Sequence, residues 1–249
     1  MSLRQIIKKF FFKNKYHATT VGTLNEKTRV DWLEETLKKI AKGSTILDAG
    51  AGEQQYKKFC THLEYVSQDF GQYKPEDLKS GLQMEKWDYG KLDIVSDIAS
   101  IPVANTSFDA IMCTEVFEHI INPIEAIAEF SRILKKGGSL IITAPFCSLT
   151  HFAPYHYYSG FNRFFYEKEL GKNGFEIIEL TTNGNYFEYL AQEINRLSFM
   201  AIKYTGKMLS KQDVDAVSQL KEVLQKLTDN DSTSSELLCF GYHILARKK

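Results

Sequence analysis

Short apolar runs alternate with longer stretches of helical periodicity along most of the chain. Val30, Leu33, Leu37 and Ile40 recur at helical spacing ahead of Gly43, which predicts a helix over 26–42. Ser44–Ala49 is a short β-rich run, and a helix-like stretch follows it. Glu64–Asp69 reads as a second strand and Leu92–Val95 as a weak third, separated by a long polar connection over 71–92. Phe108–Cys113 is a fourth strand. Asn122-Pro123 then opens a helix, with Asn as cap and Pro in the first turn. Ile124, Ile127, Ala128, Phe130, Ile133 and Leu134 give that helix its apolar face, and Gly137-Gly138 is expected to end it. Ser139–Thr143 is a fifth strand; a helix over 165–172 leads to a sixth, Phe175–Leu180.

The alternation breaks over 185–233. Phe187, Leu190, Ile194, Leu197 and Ala201 mark one helix, and Val217, Leu220, Leu224 and Leu227 another. A polar linker, Asp229–Ser235, precedes a final strand over Leu237–Ala246. At the other end, Ile6, Ile7, Phe10 and Phe11 share a helical face among Arg4, Lys8, Lys9 and Lys13. This segment reads as a helix packed on the domain or lidding its cleft, with peripheral membrane contact through 4–13 as the alternative. The expected organisation is one domain over 1–249, with an N-terminal helical extension (1–43) and a helical insertion (185–233). The fold class is α/β, a mostly parallel sheet with helices on both faces.

In such sheets ligands bind beyond the carboxyl ends of the strands, and the polar residues of interest fall there. Asp48, Gly50 and Gly52 follow strand one, Asp69 strand two, Asp97 strand three, Glu115 and His119 strand four, and Pro145, His151 and His156 strand five. Gly50 and Gly52 allow a tight turn and close backbone approach, and the turn is expected to deliver a ligand to a helix N-terminus. Asp69, 21 residues after Asp48, is near the spacing at which an acid meets a ribose. A dinucleotide site calls for Gly-x-Gly-x-x-Gly. The stretch Gly50-Ala51-Gly52-Glu53-Gln54-Gln55 lacks the last glycine, and Glu53 would set negative charge beside a pyrophosphate.

Ile46-Leu47-Asp48-Ala49-Gly50-Ala51-Gly52 resembles the first motif of the class I S-adenosylmethionine-dependent methyltransferases. Phe108-Asp109-Ala110-Ile111 with Glu115-Val116-Phe117-Glu118-His119 is similar to the family's fourth-strand motif, and Leu134-Lys135-Lys136-Gly137-Gly138-Ser139-Leu140 to its helix-to-fifth-strand signature. The resemblance covers 44–181 and, more loosely, the final strand. It implies a Rossmann-like seven-stranded sheet whose last strand is antiparallel and inserted beside the fifth. It also implies an enzyme with S-adenosylmethionine as cofactor and S-adenosylhomocysteine as product. Asp48 would orient the loop or reach the methionine amino group. Gly50 and Gly52 would line the methionine portion, Asp69 would hold the ribose hydroxyls, and Ala49, Ala51 and Phe70 would be further cofactor contacts. Asp97 and Ile98 would contact adenine, and Glu115 would sit beside the methionine end. Many members carry glycine where this chain has Gln54, so the loop shape is expected to differ.

Methyl transfer to a hydroxyl benefits from a base, a task that suits histidine near neutral pH. His119 leads the candidates, with packing beside the ligand as its alternative. His151 and His156 lie in an aromatic segment with Phe152, Tyr155, Tyr157 and Tyr158, as base, substrate contact or loop packing. Tyr155, Tyr158, Arg163 and Tyr186 are candidate substrate contacts, Arg163 with surface pairing to a carboxylate as its alternative. Tyr186 opens the aromatic stretch Tyr186-Phe187-Glu188-Tyr189, which favours a cleft-side role for the insertion.

Composition narrows the partner class. Lys plus Arg and Asp plus Glu both number 31, without the basic excess of a nucleic-acid binder. A small-molecule acceptor is therefore expected, with no nucleic acid and no integral membrane association. The oligomeric state is open. Cysteines 60, 113, 147 and 239 form no CxxC pair, so no metal site is expected and a reduced, cytoplasmic protein fits. No apolar run of membrane-spanning length and no signal peptide are read. Two rivals stay open: a donor-binding protein acting through partners without catalysis, and an NAD(P) oxidoreductase.

Overall fold

The computed structural model describes residues 19–76 and 80–249. The amphipathic segment at 4–13 lies outside them. The chain divides into two compact units, one of residues up to 26 with 184–239, the other of 27–183 with 240–249.

The larger unit is built on seven strands: β1 (Thr45–Ala49), β2 (Glu64–Asp69), β3 (Ile94–Val95), β4 (Phe108–Thr114), β5 (Leu134–Pro145), β6 (Phe175–Asn183) and β7 (Gly241–Lys248). Their order is β3-β2-β1-β4-β5-β7-β6. The first five are parallel, and β7 runs antiparallel to both β5 and β6, between them. The expected topology is therefore the one observed. The sheet reverses direction of growth at β1 and β4, so their carboxyl ends open the crevice in which ligands of this fold class bind.

Three helices cover the sheet: α1 (Asn25–Leu37), α2 (Pro123–Ile133) and α3 (Arg163–Lys172). Strand periodicity sends alternate residues to opposite faces. On one face Leu33 and Leu37 of α1 pack with Ile46, Ala110, Met112 and Ile141. Leu47, Ile111, Leu140 and Ile142 point the other way and are equally buried. There Phe117 stacks between Phe130 of α2 and Tyr166 of α3. Each fully buried Leu, Ile or Phe contributes on the order of 1.5–3 kcal/mol.

Several elements depart from the pattern-based expectation. The helix over 26–42 ends at Leu37. No α-helix follows β1: Gln54 is left-handed (φ 56°) and β2 opens at Glu64, leaving room for a single 3-10 turn, Lys57–Phe59. Asn122 precedes α2 without capping it through its side chain, which donates to Glu125 instead. Gly137 and Gly138 do not end α2. That helix stops at Ile133, and Leu134 pairs directly with Phe108. The ladder then jumps to Ala110–Ser139, so 135–138 bulge out; Gly137 supplies a φ of +77°, and a Cβ on Gly138 would sit 2.9 Å from the Asp109 carbonyl. The last strand begins at Gly241, paired with Pro145, rather than at Leu237, which is exposed.

The smaller unit holds α4 (Tyr186–Thr205) and α5 (Lys211–Asp229). Asn185 caps α4, Gly206 ends it in the left-handed conformation, and Ser210 with Asp213 forms a capping box on α5. Its core joins Val21, Ala191 and Leu224. Gly22 lies so close to α4 that a Cβ would meet Gln192 N at 2.3 Å. No helix among the described residues is long and apolar enough to cross a membrane. The four cysteines are free.

Candidate active site

Two groups of residues lie at the carboxyl ends of the central strands. The first is the loop after β1. Gly50 (φ 77°), Gly52 (φ 51°) and Gln54 (φ 56°) are all left-handed, so every second residue turns the chain. The amides of Gly50 and Ala51 both donate to the Gln68 carbonyl at 2.8 Å. Gly52 N donates to one oxygen of Asp69 at 2.9 Å, and Gly71 N donates to the other at 3.0 Å. Glycine is required at Gly50 for space as well as for φ: a Cβ would stand 2.5 Å from Val116 Cγ2. At Gly52 it would meet the Trp87 ring at 2.9 Å. Gln54 holds a conformation that favours glycine, and its side chain donates to the carbonyls of Tyr89 and Lys91, both at 2.9 Å. Glu53 accepts from Asp88 N. The polar connection after β2 is thus fastened to the glycine loop.

Three acids attend this loop. Asp48 is buried and accepts from the Tyr65 hydroxyl at 2.6 Å. Burial pushes its pKa up to about 7, against the Tyr65 hydrogen bond and with the help of the Asp69 charge. Burial raises Asp69 too, while the amides of Gly71, Gly52 and Phe70 pull it down. Glu115 is left-handed (φ 55°), accepts from the Thr143 hydroxyl at 3.0 Å and pairs with Arg29 of α1 at 3.1 Å. Past β3, Asp97 is exposed and accepts from Ala99 N, while Ile98 is buried.

The second group begins with the 3-10 turn Phe117–His119 after β4. Burial of Phe117 anchors the turn. The Glu118 carbonyl accepts from Tyr157 N and Tyr158 N, which draws in the segment after β5. Three imidazoles converge as a result. Ring centroids are 4.6 Å apart for His119 and His151, 5.0 Å for His151 and His156, and 6.0 Å for His119 and His156. His119 Nδ1 lies 2.6 Å from the Tyr155 carbonyl and His151 Nδ1 2.8 Å from the Leu149 carbonyl. A carbonyl only accepts, so both Nδ1 atoms carry protons, and Nε2 holds the lone pair of each neutral ring. The Ser148 hydroxyl donates to the Ser159 carbonyl and lies 3.2 Å from His156 Nε2. His156 must then donate from Nε2 and keep its lone pair on Nδ1.

Beneath the rings lies Glu118, with 1 % of its surface exposed. Its Oε1 is 3.7 Å from His119 Nε2 and 3.8 Å from His151 Nε2. Burial, reinforced by the Glu115 charge, pushes the Glu118 carboxyl well above the usual carboxylate range. Burial, then the neighbouring His151, holds His119 down at about 3. Phe152 (φ 52°) joins the two groups, 5.1 Å from His119, 4.5 Å from Tyr73 and 4.9 Å from Trp87. Phe70 meets Tyr155 edge-on at 4.9 Å.

Tyr158 is exposed and donates to the Ile121 carbonyl. Arg163 is exposed on α3 and paired with Glu167 at 2.6 Å. Tyr186 belongs to the smaller unit. Sequence reasoning assigned no site role to Arg29, Trp87, Glu118 or Phe152. Glu118 carried a signal as the neighbour of His119 in Glu115-x-x-Glu118-His119, and Phe152 as part of the aromatic segment around His151 and His156.

Residues 47–142 match a family described as methyltransferase domain. This stretch runs from the glycine loop to β5 and contains Glu115, Glu118 and His119. Over that stretch the chain is similar to the class I S-adenosylmethionine-dependent methyltransferases. A curated ubiquinone biosynthesis O-methyltransferase from Dechloromonas aromatica (strain RCB) is 26 % identical over 122 residues, 46 % of this chain and 49 % of that one. The match therefore spans about half the relative's length. A protein of Galdieria sulphuraria provisionally named a sarcosine dimethylglycine methyltransferase shares the fold with a TM-score of 0.56 and 13 % identity, covering 99 % of this chain and 98 % of that one. The [4+2]-cyclase SpnF shares it with a TM-score of 0.53 and 17 % identity, covering 95 % and 84 %. One fold here serves different reactions, so the reaction must be argued from the site.

The loop fits the cofactor of the class and does not fit a dinucleotide. A pyrophosphate is bound at the N-terminus of an α-helix. This loop runs into one 3-10 turn, and Asp48, Glu53 and Asp69 line the chain around it. Acids of that kind suit a ligand with a sulfonium, an amino group and ribose hydroxyls.

Proposed function

We propose that this chain methylates a hydroxyl group of a small molecule. The observation that carries the reading is the convergence of His119, His151 and His156 above buried Glu118, across Phe152 and Trp87 from the glycine loop. S-adenosylmethionine supplies a methyl carbon activated by sulfonium. Gly50, Gly52 and Asp69 would hold the methionine and ribose portions, Ile98 the adenine, and Glu115 the methionine end. The aromatic wall of Phe152, Trp87 and Tyr73 excludes water and favours a flat or apolar acceptor. The imidazole lone pairs offer the acceptor hydroxyl a destination for its proton, while much of the rate comes from holding the reacting atoms in line. The name of the Dechloromonas relative, an O-methyltransferase, agrees with a hydroxyl acceptor. The balanced charge supports a small molecule over nucleic acid, and four free thiols support a cytoplasmic site of action. Residues 185–233 are read as a helical insertion in this methyltransferase.

The test is incubation with methyl-labelled S-adenosylmethionine and two probes of similar shape, catechol and o-phenylenediamine, alongside the small-molecule fraction of a cell extract. Label in O-methyl products is expected. Label confined to amines, protein or nucleic acid would overturn the reading.

A further inference from the structure

We infer that Glu118, His119 and His151 form a binding site for one divalent transition-metal ion of the zinc type. The three side chains offer ligand atoms that all lie within 4.8 Å of one another. They come from two separate segments, the turn after β4 and the loop after β5, which the paired Glu118 carbonyl holds together. Each imidazole is oriented as a ligand is. Nδ1 is committed to a backbone carbonyl, the outer partner that fixes the ring and raises the basicity of the other nitrogen. Both Nε2 atoms face Glu118 Oε1, at 3.7 and 3.8 Å. These separations are too long for hydrogen bonds. Two donors bound at about 2.0–2.1 Å to one tetrahedral ion stand about 3.4 Å apart, so the two Glu118–His separations would close by a few tenths of an ångström and the widest pair by up to about 1.4 Å.

Glu118 is the independent observation. It is almost wholly buried, and its Oε2 has no hydrogen-bond partner among the described residues. An ionised carboxylate in that position is costly unless it is paired or coordinates a metal; burial and the Glu115 charge hold the group as the neutral acid against the attraction of Arg29, and an ion seated against Oε1 would instead favour the ionised form. Two imidazoles and one carboxylate select a borderline transition ion over Mg2+ or Ca2+, which prefer all-oxygen shells. The metal-free expectation rested on scattered cysteines, whereas these ligands are Glu and His. Three protein donors leave a fourth position open, as in catalytic zinc sites.

The use of the metal rests on the hydroxyl-methylation reading; the site itself does not. An acceptor oxygen in the open position would lose its proton more readily, with His156 Nδ1 as the nearby acceptor of that proton. The oxygen then forms the new O–CH3 bond as the C–S bond breaks, and the electron pair leaves on the thioether sulfur of S-adenosylhomocysteine. His119 and His151 act as ligands in this arrangement rather than as bases.

The experiment titrates the metal-stripped full chain with Co2+, read by its visible d–d absorption, and with Zn2+, read by calorimetry. Glu118→Gln, His151→Ala and His156→Asn are measured beside it, and S-adenosylhomocysteine binding verifies that each variant is folded. The expected result is one ion per chain. Loss of affinity in the Glu118 and His151 variants should reach at least the ~10–100-fold that removal of an outer partner costs, with little change in the His156 variant. No binding, or binding equal in Glu118→Gln and the parent chain, overturns the site. Metal binding with no transfer to any hydroxyl overturns the hydroxyl reading alone, and transfer without metal binding overturns the metal alone.

Discussion

The glycine loop and the histidine cluster sit at neighbouring strand ends and are built by opposite means. In the loop the backbone does the work: three left-handed residues within five positions, amides turned onto Gln68 and Asp69, and no room for a Cβ at Gly50. In the cluster the backbone merely delivers side chains. Glu118 and His119 arrive on a 3-10 turn, His151 and His156 on an irregular loop more than thirty positions later. A backbone device is contiguous and leaves a motif in the sequence. A side-chain device is assembled across the fold and leaves scattered residues.

That contrast can be broken or sharpened by substitution. The largest effect is expected at His151→Asn, which should lower methylation of a hydroxyl acceptor by about 10²–10⁴-fold. Affinity for S-adenosylhomocysteine, measured by calorimetry, should stay within about twofold. Equal losses in both would mean that the two groups are one device. Gly50→Ala should act through the donor instead, weakening S-adenosylhomocysteine binding and methylation together. A left-handed non-glycine costs roughly 1–2 kcal/mol and overpacking against Val116 about 1–3 kcal/mol more, to be read from denaturant unfolding. Asp69→Ala should weaken S-adenosylhomocysteine binding by about 1.5–3 kcal/mol, the worth of hydrogen bonds to a charged group.

A pH effect comes next. Burial, and then the Arg29 charge, hold His243 down at about 4 from an ordinary 6.5, stacked on Trp32. The unfolded chain therefore binds this proton more readily between those values. Stability is fully present above pH 6.5 and is lost as pH falls toward 4, by at most about 1.4 kcal/mol per pH unit from this group. His243→Phe should flatten that part of the stability–pH curve; an unchanged slope would assign it to other groups. The smallest effect is expected at Gln54→Gly. Relief of the left-handed backbone offsets the loss of two hydrogen bonds, each worth about 1 kcal/mol. Global stability should barely move, while amide exchange over 87–91 should quicken once the tether to Tyr89 and Lys91 is gone.

The strands and their order of function were legible because burial imposes a period. Leu47, Ile111 and Ile142 are apolar where the sheet needs them, and Glu64–Asp69 matched its strand to the residue. Boundaries set by competition were less legible. Gly137 and Gly138 read as a helix stop by local propensity, yet the pairing of Leu134 with Phe108 claims the chain first and turns the glycines into a bulge. The helix expected after the glycine loop failed for a related reason. Gln54 had no sequence signal for a left-handed φ, because that conformation is held by bonds to residues 35 and 37 positions away.

The sequence by itself determined the fold class, the glycine loop and the acids at the strand ends, because each depends on local geometry or on periodic burial. Only the tertiary structure decided that Glu118, read as part of a motif, lies buried beneath two histidines, that Arg29 pairs with Glu115, and that Trp87 and Phe152 join the two halves of the site. Those contacts depend on distances between segments far apart in the chain. Such distances follow from the packing of the whole sheet and leave no period in the sequence.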